Sequence, residues 1–335
     1  MNCCAGCFGD RFLRDEIGRS PETGQCSYCD SKSVRVLPPP QLADLFGLLI
    51  GAYQAHPDGK LLVQLFREDW GMFERPEMDD SRASALLVEI LGDREIVQKT
   101  FSPATAERLN EWEKLRDELM YHNRFFPETN IDLDRLEELL TFLEPNSVEV
   151  PDLWYRARIQ TSETPFAVAD MGAPPKKNVS HGRANPAGIP YLYLGSTQGT
   201  AVAEIRPHTG EVVCVADFRT PQTMKLVDLR NPQKMVSPFD FDEADIGKMR
   251  SDLPFLARLG EELTRPVVPQ AAAIDYTPSQ YLCEFIKKCK YDGVIYRSSV
   301  SDGINLALFN PSLAESGAIA QYRVTRVSVE ASPIR

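Results

Sequence analysis

Two cysteine pairs, Cys4-x2-Cys7 and Cys26-x2-Cys29, stand at the front of the chain with 18 residues between them. Each pair is a knuckle that aims two thiolates at one point, and the spacing between them is that of a tetrahedral zinc site. Gly6, Gly24 and Asp30-Ser31 supply the turn chemistry. A segment this short has too little apolar surface to fold unaided, so metal binding would supply its folding energy. Two disulfides are the alternative, disfavoured in a chain that starts without a secretory signal. The expected ligands are Cys4, Cys7, Cys26 and Cys29, with Cys3 able to replace Cys4. A closed four-thiolate site has no open coordination position, so the expected Zn2+ is structural. Cys214, Cys283 and Cys289 sit in apolar runs and read as core residues.

The rest of the composition is that of a folded protein of two or three domains: 335 residues, 43% of them apolar. Residues 1–150 carry 16 basic and 28 acidic side chains, a net of -12, whereas residues 151–335 carry 21 and 20, a net of +1. Acidity on this scale argues against a nucleic-acid coat but leaves room for a basic pocket for a small anion in the back half. The longest apolar run, Leu42 to Ala55, is too short for a membrane helix and contains Asp44. A cytoplasmic protein without leader or anchor is expected.

Three regions follow: a zinc-knuckle module at 1–37, an acidic helical domain at 38–150, and a strand-rich domain at 151–335. In the second, LADLFGLLIGAYQ, SRASALLVEILGD, TAERLNEWEKLRDELMYHNRFF and IDLDRLEELLTFL repeat apolar residues at three and four. Ser81 and Asp132 read as helix caps. In the third, LWYRARI, PYLYLG, VVCVADF, MKLVDL, GVIYRS, INLALF and YRVTRVSVE read as strands. Helices are expected at TAVAEIRPH, FLARLGEEL and YLCEFIKKC. The predicted fold class is therefore α+β.

GxSxG, Walker, GxGxxG and HExxH motifs are absent, and four histidines are too few to suggest a histidine metal centre. The back half instead separates three polar residues among apolar strands: Arg183 in HGRANPAGIPYLYLGS, Glu204 in TQGTAVAEIRPH and Ser298 in YDGVIYRSSVSDGINLALF. At these residues the chain resembles the RES domain family, over roughly residues 152–330. GRANPAGIPYLYL is similar to that family's GRWNPxGxPxxYL, with Ala184 where Trp is usual. YRSSVSDGINLALF is similar to its YxSxxxxxGxNLxLF, which adds Asn305, and WYRAR supplies Arg156.

The resemblance implies an ADP-ribosyltransferase-like mixed β domain and a growth-arresting toxin that breaks down NAD+. The bond cut is nicotinamide–ribose, by phosphorolysis or hydrolysis, and the catalytic residues are Arg183, Glu204 and Ser298. Ser299 and Ser301 are alternatives to Ser298. The chemistry suits those residues. Arg183 and Arg156 offer two forks to a diphosphate, and Glu204 stabilises an oxocarbenium-like transition state. Tyr193 stacks on nicotinamide or closes over the ribose, and Ser298 bonds the carboxamide or an incoming phosphate. The neighbours of Glu204, Ala201 to Ala203 and Ile205, look buried. Expected partners are NAD+, inorganic phosphate and an antitoxin or other regulatory protein, with neither membrane nor nucleic acid.

Three other readings remain open. The same pocket could transfer ADP-ribose to a macromolecule. The front half could be a binding module with an idle back half. Lastly, Arg116 and His122 resemble the R-x5-H RNase motif of HEPN domains, a type of front half that occurs ahead of RES domains. Phe125 and Phe126, just beyond, read as a docking segment buried against the back half.

Overall fold

The computed structural model describes residues 1–104, 109–146 and 149–328. By backbone contacts the chain divides into two compact units, Met1–Asn110 with Asn231–Ala257, and Glu111–Arg230 with Arg258–Arg335.

The first unit opens with a small antiparallel sheet of β1 (Cys3–Cys4), β2 (Thr23–Gly24) and β3 (Val34–Leu37), in the order β1-β3-β2, with helix α1 (Arg11–Gly18) in between. There follow α2 (Ala43–Ile50), β4 (Tyr53–Leu61), α3 (Leu62–Trp70), α4 (Asp80–Leu91) and β5 (Thr100–Pro103). Phe8, Phe46, Phe66 and Phe73 pack ring to ring at 5.8 to 6.1 Å between centroids and form its aromatic core.

Two sequence expectations are corrected here. The helical reading of LADLFGLLIGAYQ stops at Ile50, because Tyr53–Leu61 pairs antiparallel with Thr100–Pro103. The strand is made irregular by a register shift between Ala55 and Lys60, across His56-Pro57-Asp58-Gly59. At Gly59 a Cβ would stand 2.5 Å from the carbonyl carbon of Phe101, so only glycine allows this approach. The cap of α4 is Asp79, whose carboxylate accepts from the Arg82 amide at 2.8 Å, rather than Ser81.

The second unit begins with α5 (Leu109–Tyr121), which enters it from the first, and α6 (Leu133–Thr141), capped by Asp132 as expected. Next come β6 (Leu153–Ile159), β7 (Leu192–Gly195), α7 (Gln198–Glu204), β8 (Val212–Arg219) and β9 (Leu226–Asp228). The chain then supplies α8 (Pro232–Met235) and the first part of α9 (Glu243–Thr264) to the first unit. It ends in the second with α10 (Ala272–Asp275), α11 (Thr277–Lys288), β10 (Gly293–Arg297), β11 (Ile304–Leu308) and β12 (Glu315–Arg323). YRVTRVSVE thus joins a strand only through Tyr322 and Arg323, and its last two residues lie outside the described ones.

The seven-stranded sheet runs β12-β8-β6-β7-β11-β10-β9, antiparallel throughout except for β10 beside β9. With helices and a mixed sheet, the protein is α+β. Strand alternation assigns the two faces. Trp154, Leu192, Leu194, Cys214, Ala216, Phe218, Leu306 and Leu308 fill one core, and Ala157, Val213 and Val215 meet Ala201 of α7 in a second. Tyr155 and Asn305 both pair with Gly195, and Tyr296 pairs with Asn305, so these four form one row across the sheet. A Cβ at Gly195 would come within 2.9 Å of the Ala201 amide. Its absence lets α7 settle directly onto that row.

Candidate active site and metal centre

The row floors a cavity of about 380 Å³ that Arg156, Arg183, Tyr193, Glu204 and Asn305 all line, with Ser299 at its wall. Residues from four separate segments of the sequence are thus gathered in one place.

The loop carrying Arg183 is fastened through its backbone. Gln280 Nε2 donates to the Gly182 and Asn185 carbonyls at 2.8 and 3.1 Å, and Ser279 Oγ donates to the Arg183 carbonyl at 2.6 Å. The buried Asn185 spans the loop from Ser180 to Pro186 through its amide group. Tyr193 closes it from β7, its hydroxyl donating to Asn185 Oδ1 at 2.6 Å and accepting from the Ala184 amide at 3.0 Å. A side chain at Gly182 would collide with Asn185 and Tyr193. Burial pushes the Tyr193 pKa above the ordinary tyrosine value, so its hydroxyl is a fixed neutral bond maker at pH 7.

The two arginines are held alike. Arg183 Nη1 donates to the Arg265 carbonyl at 2.7 Å, and Arg156 Nη1 donates to the Tyr193 carbonyl at 3.0 Å. Neither makes a hydrogen bond through Nε or Nη2 among the described residues, and Nε of Arg156 is buried without a partner. Nε and Nη2 form the edge of a guanidinium that grips an anion with two parallel bonds. Burial draws the Arg156 pKa down to about 10, which leaves it charged at neutral pH and short of a counter-charge.

Glu204 ends α7, whose first turn is capped by Thr197 accepting from the Thr200 amide at 3.0 Å. Its Oε1 accepts from Ser298 Oγ at 2.7 Å and from Asn305 Nδ2 at 2.6 Å. Oε2 makes no bond among the described residues. Of the neighbours expected to be buried only Ala201 is, with Val202, Ala203 and Ile205 half-buried, and Glu204 itself is exposed, because the helix ends there beside the cavity. Ser298 reaches the cavity through this carboxylate, whereas Ser301 donates to Thr200 Oγ1 at 3.2 Å. Four further lining residues, His181, Arg206, Tyr276 and Tyr296, were not singled out from the sequence. Nor was Asn185, although it lies inside the GRANP motif.

Arg116 and His122 have different ion-pair partners. Arg116 Nε lies 3.1 Å from the buried Glu262 carboxylate, while the exposed His122 faces Asp117 at 3.5 Å on a surface lined by Glu113, Glu118 and Glu128. Phe125 and Phe126 are 87% and 82% exposed, against the expectation that they are buried. The turn that carries them is closed by Asn123, whose side chain bonds both the carbonyl and the amide of Phe126.

In the first unit the sulfurs of Cys4, Cys7, Cys26 and Cys29 lie within 4.8 Å of one another, all buried. Cys4 Sγ is 3.4 Å from Cys29 Sγ, and Cys7 Sγ is 3.3 Å from Cys26 Sγ. A tetrahedron with metal–sulfur bonds of about 2.3 Å has edges of about 3.8 Å, so this cluster can hold a metal ion. Cys3 falls outside it and donates to the Leu37 carbonyl at 3.5 Å, so Cys4 is the residue in ligand position. Among the described residues no helix is long and apolar enough to cross a membrane.

Fold and site together define an α+β protein with a carboxylate and two arginines in one polar cavity at its mixed sheet, and a four-cysteine cluster near the start of the chain. The chain belongs to the RES domain family, which matches residues 153–327. Among solved structures it is similar to a chain of the M. tuberculosis MbcT–MbcA toxin–antitoxin complex. The identity is 11% and the TM-score 0.34, over 56% of this chain and 92% of that one. No curated protein matches it.

Proposed function

We propose that this RES domain protein cleaves the nicotinamide–ribose bond of NAD+, by phosphorolysis or hydrolysis, and acts as a toxin that depletes NAD+. One observation carries the reading. Two arginines whose Nε and Nη2 make no hydrogen bond among the described residues, and a carboxylate whose Oε2 makes none, line the same cavity of about 380 Å³. Arg156 and Arg183 bind the diphosphate and so fix the ribose beside Glu204. As the bond from the ribose carbon to the pyridinium nitrogen breaks, its electron pair goes to that nitrogen and nicotinamide leaves neutral. The positive charge then gathered on the ribose is met by Glu204. A phosphate or water oxygen closes the new bond to the same carbon, giving ADP-ribose 1″-phosphate or ADP-ribose and a proton. Positioning and charge supply the catalysis without a covalent intermediate.

The RES family membership supports an antitoxin partner. The four-cysteine cluster supports a structural Zn2+ held by Cys4, Cys7, Cys26 and Cys29. An RNase reading is disfavoured by the Arg116–Glu262 ion pair, which engages the guanidinium with a buried carboxylate. The test is growth arrest on expression, with loss of cellular NAD+, compared with Glu204→Gln made at the same level. Arrest by the variant would refute the reading.

A further inference from the structure

Arg183 is gripped at one end and across one face. Its Nη1 is tied to the Arg265 carbonyl, and its guanidinium carbon lies 5.2 Å from the centroid of the Tyr276 ring. Tyr276 occupies the junction of α10 and α11, which also sends Ser279 and Gln280 to the backbone of the Arg183 loop. A long side chain tied only at its tip still swings about that bond. An aromatic face under the guanidinium removes that freedom. The edge left over, Nε with Nη2, is then held in one orientation, and Tyr276 and Arg183 line the same cavity.

We propose that Tyr276 is a positioning residue that sets the affinity of the site for the dinucleotide diphosphate by orienting Arg183. This rests on the NAD+ reading above and adds a determinant 93 positions away from Arg183 in the chain. The role belongs to the ring and not to the hydroxyl, which makes no hydrogen bond among the described residues. Since the diphosphate is bound equally in substrate and transition state, the effect falls on KM and spares kcat.

The experiment is a double-mutant cycle on the full-length protein: wild type, Tyr276→Ala, Arg183→Ala and the double variant. Each is assayed for nicotinamide release over a range of NAD+ concentrations, with Tyr276→Phe as the conservative control. Tyr276→Ala is expected to raise KM about fivefold with kcat within about twofold of the wild type. Tyr276→Phe is expected to keep the wild-type KM. The double variant is expected to match Arg183→Ala alone, because a residue that acts through Arg183 has nothing to orient once Arg183 is gone. Additive KM effects in an active protein would overturn the role of Tyr276 and leave the NAD+ reading standing. The same holds if Phe fails to rescue, or if Tyr276→Ala lowers kcat instead. A wild type that neither binds nor consumes NAD+ would overturn both.

Discussion

Ser298 Oγ and Glu204 are joined by a 2.7 Å hydrogen bond across 94 positions of sequence, the hydroxyl donating to Oε1. Asn305 donates to the same oxygen at 2.6 Å, so both neighbours stabilise one end of the carboxylate. That arrangement fixes the side chain while leaving Oε2 without a donor among the described residues. Ser298→Ala is expected to lower kcat about tenfold, and Ser298→Ala with Asn305→Ala to cost more than the product of the single losses, since either donor alone still partly holds Glu204. Steady-state nicotinamide release by the three variants checks it. Multiplicative effects would mean that the two donors act separately.

Arg183→Lys and Arg156→Lys keep the charge and lose the two-donor edge. Each is expected to raise the KM for NAD+ about tenfold with a small change in kcat. Full retention of affinity by either lysine variant would show that a point charge suffices there.

Tyr193 makes the opposite kind of prediction. Its hydroxyl serves Asn185 and Ala184, so Tyr193→Phe leaves a buried acceptor and a buried amide unpaired and is expected to cost about 1–3 kcal/mol of stability in urea unfolding. The pH dependence follows from the raised pKa. Above pH ~10 the unfolded chain loses this proton while the folded protein keeps it. The stabilisation is therefore complete below pH ~10 and lost as pH rises beyond it. Ultraviolet titration should show a tyrosine ionising later in the wild type than in Tyr193→Phe, with no such difference if the hydroxyl is solvated.

Metal removal tests the front of the chain. Elemental analysis is expected to find one zinc per chain, and Cys7→Ser or Cys26→Ser to abolish it, whereas Cys3→Ser retains it. A chelator strong enough to strip the metal is expected to lower the Tm of the first transition by more than about 10 °C and to open residues 1–37 to proteolysis. Loss of zinc in Cys3→Ser alone would reassign the ligand set.

Much of the candidate site was legible in the sequence because its residues sit in four short segments, which β6, the Arg183 loop with β7, α7 and β11 bring to one cavity. Gly182 and Gly303 lie inside two of those segments, where a Cβ would strike Tyr193 and Thr200. What escaped is what depends on distant packing. Tyr276 and Gln280 meet the Arg183 loop from a helix start that carries no local mark of that task. The β4–β5 pair was masked by apolar residues that continue the α2 pattern past Ile50, while the turn residues Pro57 to Gly59 were the better guide. Phe125 and Phe126 show the limit of inferring burial from residue type, for a turn braced by Asn123 and Glu118 keeps both rings outside.

The central claim is that Glu204 in this cavity breaks the glycosidic bond of NAD+. Purified protein is incubated with NAD+, with and without phosphate, beside Glu204→Gln, and the products are resolved by mass. The account predicts nicotinamide from the wild type and a loss of at least about a hundredfold in the variant, whose melting curve stays unchanged. ADP-ribose 1″-phosphate would identify phosphate as the acceptor, and ADP-ribose would identify water. Equal nicotinamide release by Glu204→Gln, or none by the folded wild type under either condition, would contradict the account.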